Sequence, residues 1–123
     1  MKDYKKYKWF YTSSDKLVVG GKNAKQNDEL LKKVQKMKGN FYIMHTSHPG
    51  SPFSAIISDP KTVKKTDLEE CAIFTGAFSR AWKKGMKKTK IHIFRKNQIS
   101  KEKNMKEGMW GVSGNIKKMT VEL

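Results

Sequence analysis

The sequence predicts an α+β fold: one domain over residues 1–123, built as a mainly antiparallel β-sheet with two main helices covering its faces. Three observations predict it. Short runs of β-branched and aromatic residues recur between turn-forming residues. Two other segments carry apolar residues at helical spacing, each behind a capping-box pattern. The length, 123 residues, suits one domain and can bury one core without disulfides.

Lys8-Trp9-Phe10-Tyr11-Thr12 reads as a strand, Ser13-Ser14-Asp15-Lys16 as a turn, and Leu17-Val18-Val19 as a second strand closing a hairpin. Gly20-Gly21 breaks the pattern. Asn23 then caps a helix, and Gln26 three residues on completes the capping box. Leu30, Leu31, Val34 and Met37 form the apolar face of that helix, and Gly39 ends it. Lys32, Lys33, Lys36 and Lys38 suit the negative end of its dipole. Phe41-Tyr42-Ile43-Met44 is a third strand, leading into a Pro/Gly-built loop from His45 to Pro52. Ser54-Ala55-Ile56-Ile57 is a fourth, stopped by Asp59-Pro60. Thr66-Asp67-Leu68-Glu69 is a second capping box. Its helix carries a stripe through Cys71, Ala72, Thr75, Phe78 and Trp82 and stops at Gly85. Ile91-His92-Ile93-Phe94 is a fifth strand, followed by a lysine-rich connection from Lys96 to Lys106. Gly108 to Val112 and Lys118 to Glu122 supply the last two strands.

Charge dominates the composition. Lys plus Arg number 27 against 11 Asp plus Glu, a formal net charge of +16. A folded domain with that excess attracts polyanions, and nucleic acid is the natural one. Only Arg80 and Arg95 are arginine. The lysine bias points to phosphate contacts by point charges more than to bidentate base reading. Aromatic residues interleave with the lysines at Tyr4, Tyr7, Trp9, Tyr11 and Trp110, and one or two exposed rings would serve as stacking platforms for RNA bases. No run approaches the roughly 20 apolar residues of a membrane span. The N-terminal residues lack the apolar core of a signal peptide, and the single cysteine, Cys71, excludes an internal disulfide. These features lead us to expect a cytoplasmic protein with no membrane partner.

The residues offer little for catalysis. His45-x-x-His48 is the only close histidine pair, and two histidines fall short of a zinc site. Cys71 sits on the apolar stripe of a helix, as a core residue would. The expected structural role of His45 is a ring hydrogen bond to the backbone of the loop it precedes. Ser47, Ser51 and Ser54 lie near the histidines without a nucleophile-elbow pattern, and the few acids sit in turns and at helix starts. We therefore expect no cofactor, no metal and no enzymatic activity. Gly20-Gly21-Lys22-Asn23 lacks the Walker ending and the dinucleotide fingerprint. A glycine pair before a helix start fits close approach of a phosphate to the backbone, and it fits a tight turn equally well.

Several strings together resemble a known family. Trp9-Phe10-Tyr11-Thr12-Ser13-Ser14-Asp15 and Val19-Gly20-Gly21-Lys22-Asn23-Ala24-Lys25-Gln26-Asn27-Asp28 resemble the opening of the NFACT-R domain. Phe41 to Thr46 followed by Pro49-Gly50-Ser51 is similar to its second signature. Ser79-Arg80-Ala81 is similar to its helix ending, and Arg95-Lys96 with Lys106-Glu107-Gly108-Met109 to its last basic motif. The resemblance implies an RNA-binding module. In large NFACT proteins of the NEMF/RqcH group that module is joined to other domains, which bind the stalled large ribosomal subunit and tRNA and support tailing of nascent chains. Only the R-type segment is present in this sequence, so the tailing activity is not expected of it. Many members carry His-x-Asp-x-His-Gly in the second signature. Here Ser47 stands where the acid would be and Pro49 where the second histidine would be, which argues against acid–base or metal chemistry in the loop.

The sequence therefore predicts an RNA-binding protein that contacts tRNA or rRNA, the large ribosomal subunit included, chiefly through phosphates. The expected contacts are Lys22, Asn23, Lys25, Gln26 and Asn27 at the first helix start, His45, Ser47 and His48 in the facing loop, and Arg80, Arg95, Lys96, Lys101 and Lys106 as a basic rim. The alternatives are an accessory factor or enzyme of tRNA modification using the His45–Ser51 loop, and a DNA-binding protein. The oligomeric state is left open.

Overall fold

A computed structural model describes residues 1–48 and 50–123. Pro49, part of the Pro-Gly-Ser string, lies outside the described residues. The main elements are β1 (Lys8–Tyr11), β2 (Leu17–Gly20), α1 (Ala24–Lys36), β3 (Tyr42–Thr46), β4 (Ser54–Ile57), α2 (Lys65–Ala77), α3 (Arg80–Lys83), β5 (Lys88–Arg95), β6 (Ile99–Ser100), β7 (Gly111–Val112) and β8 (Lys117–Glu122). Six strands form one sheet in the order β1-β2-β4-β3-β5-β8, every neighbouring pair antiparallel. This is the α+β fold predicted from the sequence.

The two-residue period of the strands sorts the core into two halves. Val19, Ile43, Ala55 and Phe94 pack with Leu30, Leu31 and Val34 of α1. Val18, Met44, Ile56 and Ile93 pack on the other face with Cys71 and Ala72 of α2. A sheet covered on both faces needs apolar residues at consecutive positions, and Leu17, Val18 and Val19 are all buried. Each such side chain contributes about 1.5–3 kcal/mol by leaving water. Burial raises the Cys71 thiol to about 12, which keeps it protonated in the core.

Both helix starts are built by side chains. The Asn23 carboxamide accepts the Gln26 N–H at 2.9 Å, and the Gln26 side chain accepts the Lys22 N–H at 2.9 Å. The second helix begins two residues earlier than the Thr66 pattern predicts. Lys64 takes the N-cap position, and the buried Asp67 carboxylate accepts its N–H at 2.8 Å and the Ser14 hydroxyl at 2.6 Å. That helix also does not run on to Gly85. It ends at Ala77, and Ser79 starts α3 by accepting the Trp82 N–H while its hydroxyl donates to the Gly76 carbonyl. A serine that bonds its own backbone competes with helix continuation. The break turns Trp82 off the predicted core stripe and leaves it 57% exposed.

The predicted Gly108–Val112 strand shortens to β7, which pairs with β6 from the lysine-rich connection in a separate ribbon. Asp28 of α1 ties this ribbon down. One carboxylate oxygen accepts the Gly108 N–H at 3.0 Å, the Trp110 indole N–H at 2.9 Å and the Lys101 ammonium at 3.1 Å. Burial opposes ionisation of Asp28, but hydrogen bonds from Lys101, Trp110 and Gly108 outweigh it and hold the carboxyl below its ordinary value. A lowered acid stabilises the fold above its unfolded pKa and loses that contribution as pH falls through the folded one. Asp28→Ala is expected to cost about 2–3 kcal/mol in urea unfolding at neutral pH, because it leaves the Trp110 and Gly108 N–H groups without an acceptor and Lys101 without its counter-charge. The gap between variant and parent should narrow as pH drops below about 4.

Candidate nucleic-acid interface

One end of the sheet gathers most of the predicted contacts. Gly20 of β2 lies opposite Lys8 and Ser54, and Thr46 of β3 lies opposite Ile91. The exit from β2, the start of α1, the loop after β3 and the end of α2 therefore meet there. Lys22, Asn23 and Lys25 are exposed at the α1 start, Gln26 is half-buried, Ser47 is exposed, His48 is half-buried, and Arg80 is exposed at the start of α3. Lys106 is exposed on the arm that reaches α1, where Gly108 packs so closely on Ala24 that a Cβ would lie 2.8 Å from its Cα.

Two expected contacts are placed elsewhere, and a third is held in bonds within the protein. Arg95 stacks on Tyr42 at 4.0 Å and donates to its hydroxyl at 3.0 Å, at the opposite end of the sheet. Lys96 beside it donates to the Met37 carbonyl and caps the end of α1. Lys101 is committed to Asp28 and to the Lys106 and Met109 carbonyls. Their positive charge is thus spent on structure or lies away from the α1 start.

Asn27 is the main correction. It is only 4% exposed. Its side chain accepts the Phe53 N–H at 3.1 Å and donates to the Ser51 carbonyl at 3.4 Å, so it clamps the β3–β4 loop. A Cβ on Gly21 would lie 2.5 Å from the Asn27 Oδ1. The structure gives Gly21 a role that was neither of the two expected of the glycine pair: it makes room for an amide. In the same loop, His45 Nε2 lies 2.8 Å from the Ser51 carbonyl, the backbone bond expected for it, and its ring stacks on Phe53 at 4.1 Å. Ser51 turns its own hydroxyl to the Arg80 N–H at 2.9 Å. His45 thus faces a carbonyl and not a serine hydroxyl.

The strongest electrostatic feature was missed by sequence reading. Lys8, Lys22 and Lys83 come from three different segments, yet Lys22 and Lys83 lie close enough to Lys8 to act on its charge. Burial first, and then the charges of Lys83 and Lys22, lower the Lys8 ammonium below its ordinary value. Lys8 sits over the Phe78 ring at 3.7 Å. The ion pairs among the described residues involve Lys6, Lys33 and Lys101, and none of Lys8, Lys22, Lys25, Arg80 or Lys83. Several acids, Asp15, Asp67 and Glu70 among them, gather instead around the β1–β2 turn at the far end. Among the described residues, these cations at the α1-start end thus have no ion-pair partner.

Residues 6–114 match the NFACT protein RNA binding domain family. The chain belongs to that family. The archaeal Rqc2 homolog aRqcH of Methanocaldococcus jannaschii is 35% identical over 98 residues, 80% of this chain and 14% of that protein. The chain thus spans about one seventh of that relative's length. The C-terminal part of the fibronectin/fibrinogen-binding protein from Streptococcus suis shares the fold, with a TM-score of 0.77 over 95% of this chain and 44% of that one, at 19% identity. In this NFACT RNA-binding domain the start of α1 and the loop after β3 lie side by side. The Asn27–Ser51 contact joins them.

Burial is the main reason that the His45 ring titrates low, near about 4 instead of 6.5; the His92 charge adds to it and the Ser51 bond opposes it. A histidine kept neutral in the fold stabilises it above the unfolded value and loses that contribution as pH falls toward the folded one. NMR titration of the imidazoles should place His45 near 4. Stability should decline between about pH 6.5 and 4, with a shallower decline in His45→Gln.

Proposed function

We propose that this NFACT RNA-binding domain binds tRNA or rRNA chiefly through phosphates, at the end of the sheet where α1 starts and α2 finishes. The observation that carries this reading is the set Lys8, Lys22 and Lys83, in which Lys8 sits over the Phe78 ring with the other two near it, and none has an ion-pair partner among the described residues. An RNA backbone supplies the missing counter-charge, and phosphate contact needs no bidentate geometry from lysine. Lys25, Arg80 and Lys106 extend the same surface. The likeness to an archaeal Rqc2 homolog supports a place in ribosome quality control; a cytoplasmic location and contact with the large subunit belong to the same proposal. The share of that task assigned to this chain is RNA contact, not catalysis.

The rival, an enzyme or accessory factor of tRNA modification, would use the cleft of about 270 Å³ between the His45–Ser51 loop and Gly108–Val112. His45 is poorly suited to general acid–base work there, because a ring titrating near 4 is a weak base, supplies no imidazolium at physiological pH and is pinned to a carbonyl. Purified protein should leave ATP, GTP and labelled tRNA intact. Turnover abolished by His45→Ala in a folded variant would promote the rival.

Affinity for tRNA should fall steeply with salt. Neutralising on the order of five phosphates gives a log–log slope near −3.5 for single strands and near −4.5 for duplex. Lys22→Ala with Lys25→Ala should weaken tRNA binding clearly more than Lys61→Ala with Lys64→Ala, which removes two lysines at the opposite end. Equal losses would mean that the charge is read diffusely. Competition by duplex DNA as effective as that by tRNA would favour the DNA-binding alternative.

A further inference from the structure

We infer that Trp82 is a stacking platform for an unpaired RNA base, so that the domain prefers single-stranded or looped RNA over a continuous duplex. This rests on the RNA-binding reading above and names the kind of RNA its cation cluster takes. The three tryptophans are in different situations. Trp110 is buried, with its indole N–H on Asp28. Trp9 is partly exposed but makes edge contacts with Tyr4 and Tyr11. Trp82 is 57% exposed, and no aromatic ring or cation among the described residues lies against its indole.

The backbone that carries Trp82 is held in place before any ligand arrives. Ser79 bonds to Gly76 on one side and to the Trp82 N–H on the other, and the Arg80 N–H bonds the buried Ser51 hydroxyl. The Arg80 guanidinium lies against the Gly50 turn, where a Cβ would sit 3.1 Å from Nε.

The surroundings select the occupant. Arg80 and Lys83 flank Trp82 in sequence, and Lys83 belongs to the cluster with Lys8 and Lys22. A protein partner covering Trp82 would have to desolvate these cations, and lysine is depleted in the cores of protein interfaces. An RNA strand brings a π-face for the indole and phosphates for the ammonium groups at once. In a continuous duplex both faces of each internal base are already stacked, so the base must be unpaired or looped.

The test uses an oligoadenylate single strand and a blunt RNA duplex of equal length. Single-strand binding should quench tryptophan fluorescence in the parent, and the quench should vanish in Trp82→Phe, whose affinity stays near the parent's because an aromatic face remains. Trp82→Ala should bind the single strand about 5- to 150-fold more weakly, the usual worth of one base–aromatic stack. It should keep its duplex affinity and its melting temperature, since the side chain is exposed. Unchanged single-strand affinity in Trp82→Ala, or equal losses on both RNAs, would overturn the platform and leave Trp82 to a protein partner, while salt-dependent RNA binding would still stand. Failure of the parent to bind either RNA would overturn the RNA-binding reading itself.

Discussion

The backbone from Ser51 to Phe53 is the constraint on which the functional end depends. It lies between β3 and β4, outside any strand ladder, and its polar groups are enclosed. A buried carbonyl or N–H without a partner costs about 1–3 kcal/mol, so side chains must reach in from elsewhere. Asn27 arrives from α1 and bonds on both sides of Pro52. His45 arrives from β3 and adds a bond to the Ser51 carbonyl. Ser51 in turn offers its hydroxyl to the start of α3. One short segment thus fixes the positions of α1, β3 and α3 relative to one another.

The cation cluster follows from that arrangement. Lys22 precedes α1, Lys83 ends α3, and Lys8 begins the edge strand. Each is an ordinary surface lysine in sequence, and their convergence comes from the elements that carry them. The far end of the sheet holds acids that the fold uses itself: Asp67 caps α2, and Glu70 receives the Ser13 hydroxyl and N–H. The separation leaves the α1-start end positively charged and able to capture a polyanion.

Much of the apparent binding chemistry turns out to be architecture. Gly21 makes space for an amide, Lys96 satisfies a helix-end carbonyl, and Lys101 neutralises Asp28 beneath the β6–β7 ribbon. A family signature of this kind is read most safely as a folding instruction until its side chains are seen to reach solvent. Gly20 to Asp28 illustrates the mixture. Lys22 and Lys25 project outward, Asn23 caps, and Asn27 and Asp28 hold neighbouring segments together.

The sequence by itself determined the fold class, the two-faced sheet and the start of α1. Those rest on local rules: a two-residue period in strands, apolar residues three and four apart in helices, and a cap with its return bond at Asn23 and Gln26. It also determined the sign and strength of the field, because net charge is a sum that folding does not change. Only the tertiary structure decided which cations remain free, which tryptophan faces water, and where the second helix breaks. Lysines at positions 8, 22 and 83 carry no mutual signal along the chain. Asn27 and Lys25 look equally polar until the Ser51–Phe53 backbone claims one of them. The hydroxyl of Ser79 ends a stripe whose spacing alone runs on to Trp82. In each case the deciding partner lies elsewhere in the chain or in the bonding of a side chain to the backbone, and hydrophobic spacing carries no record of either.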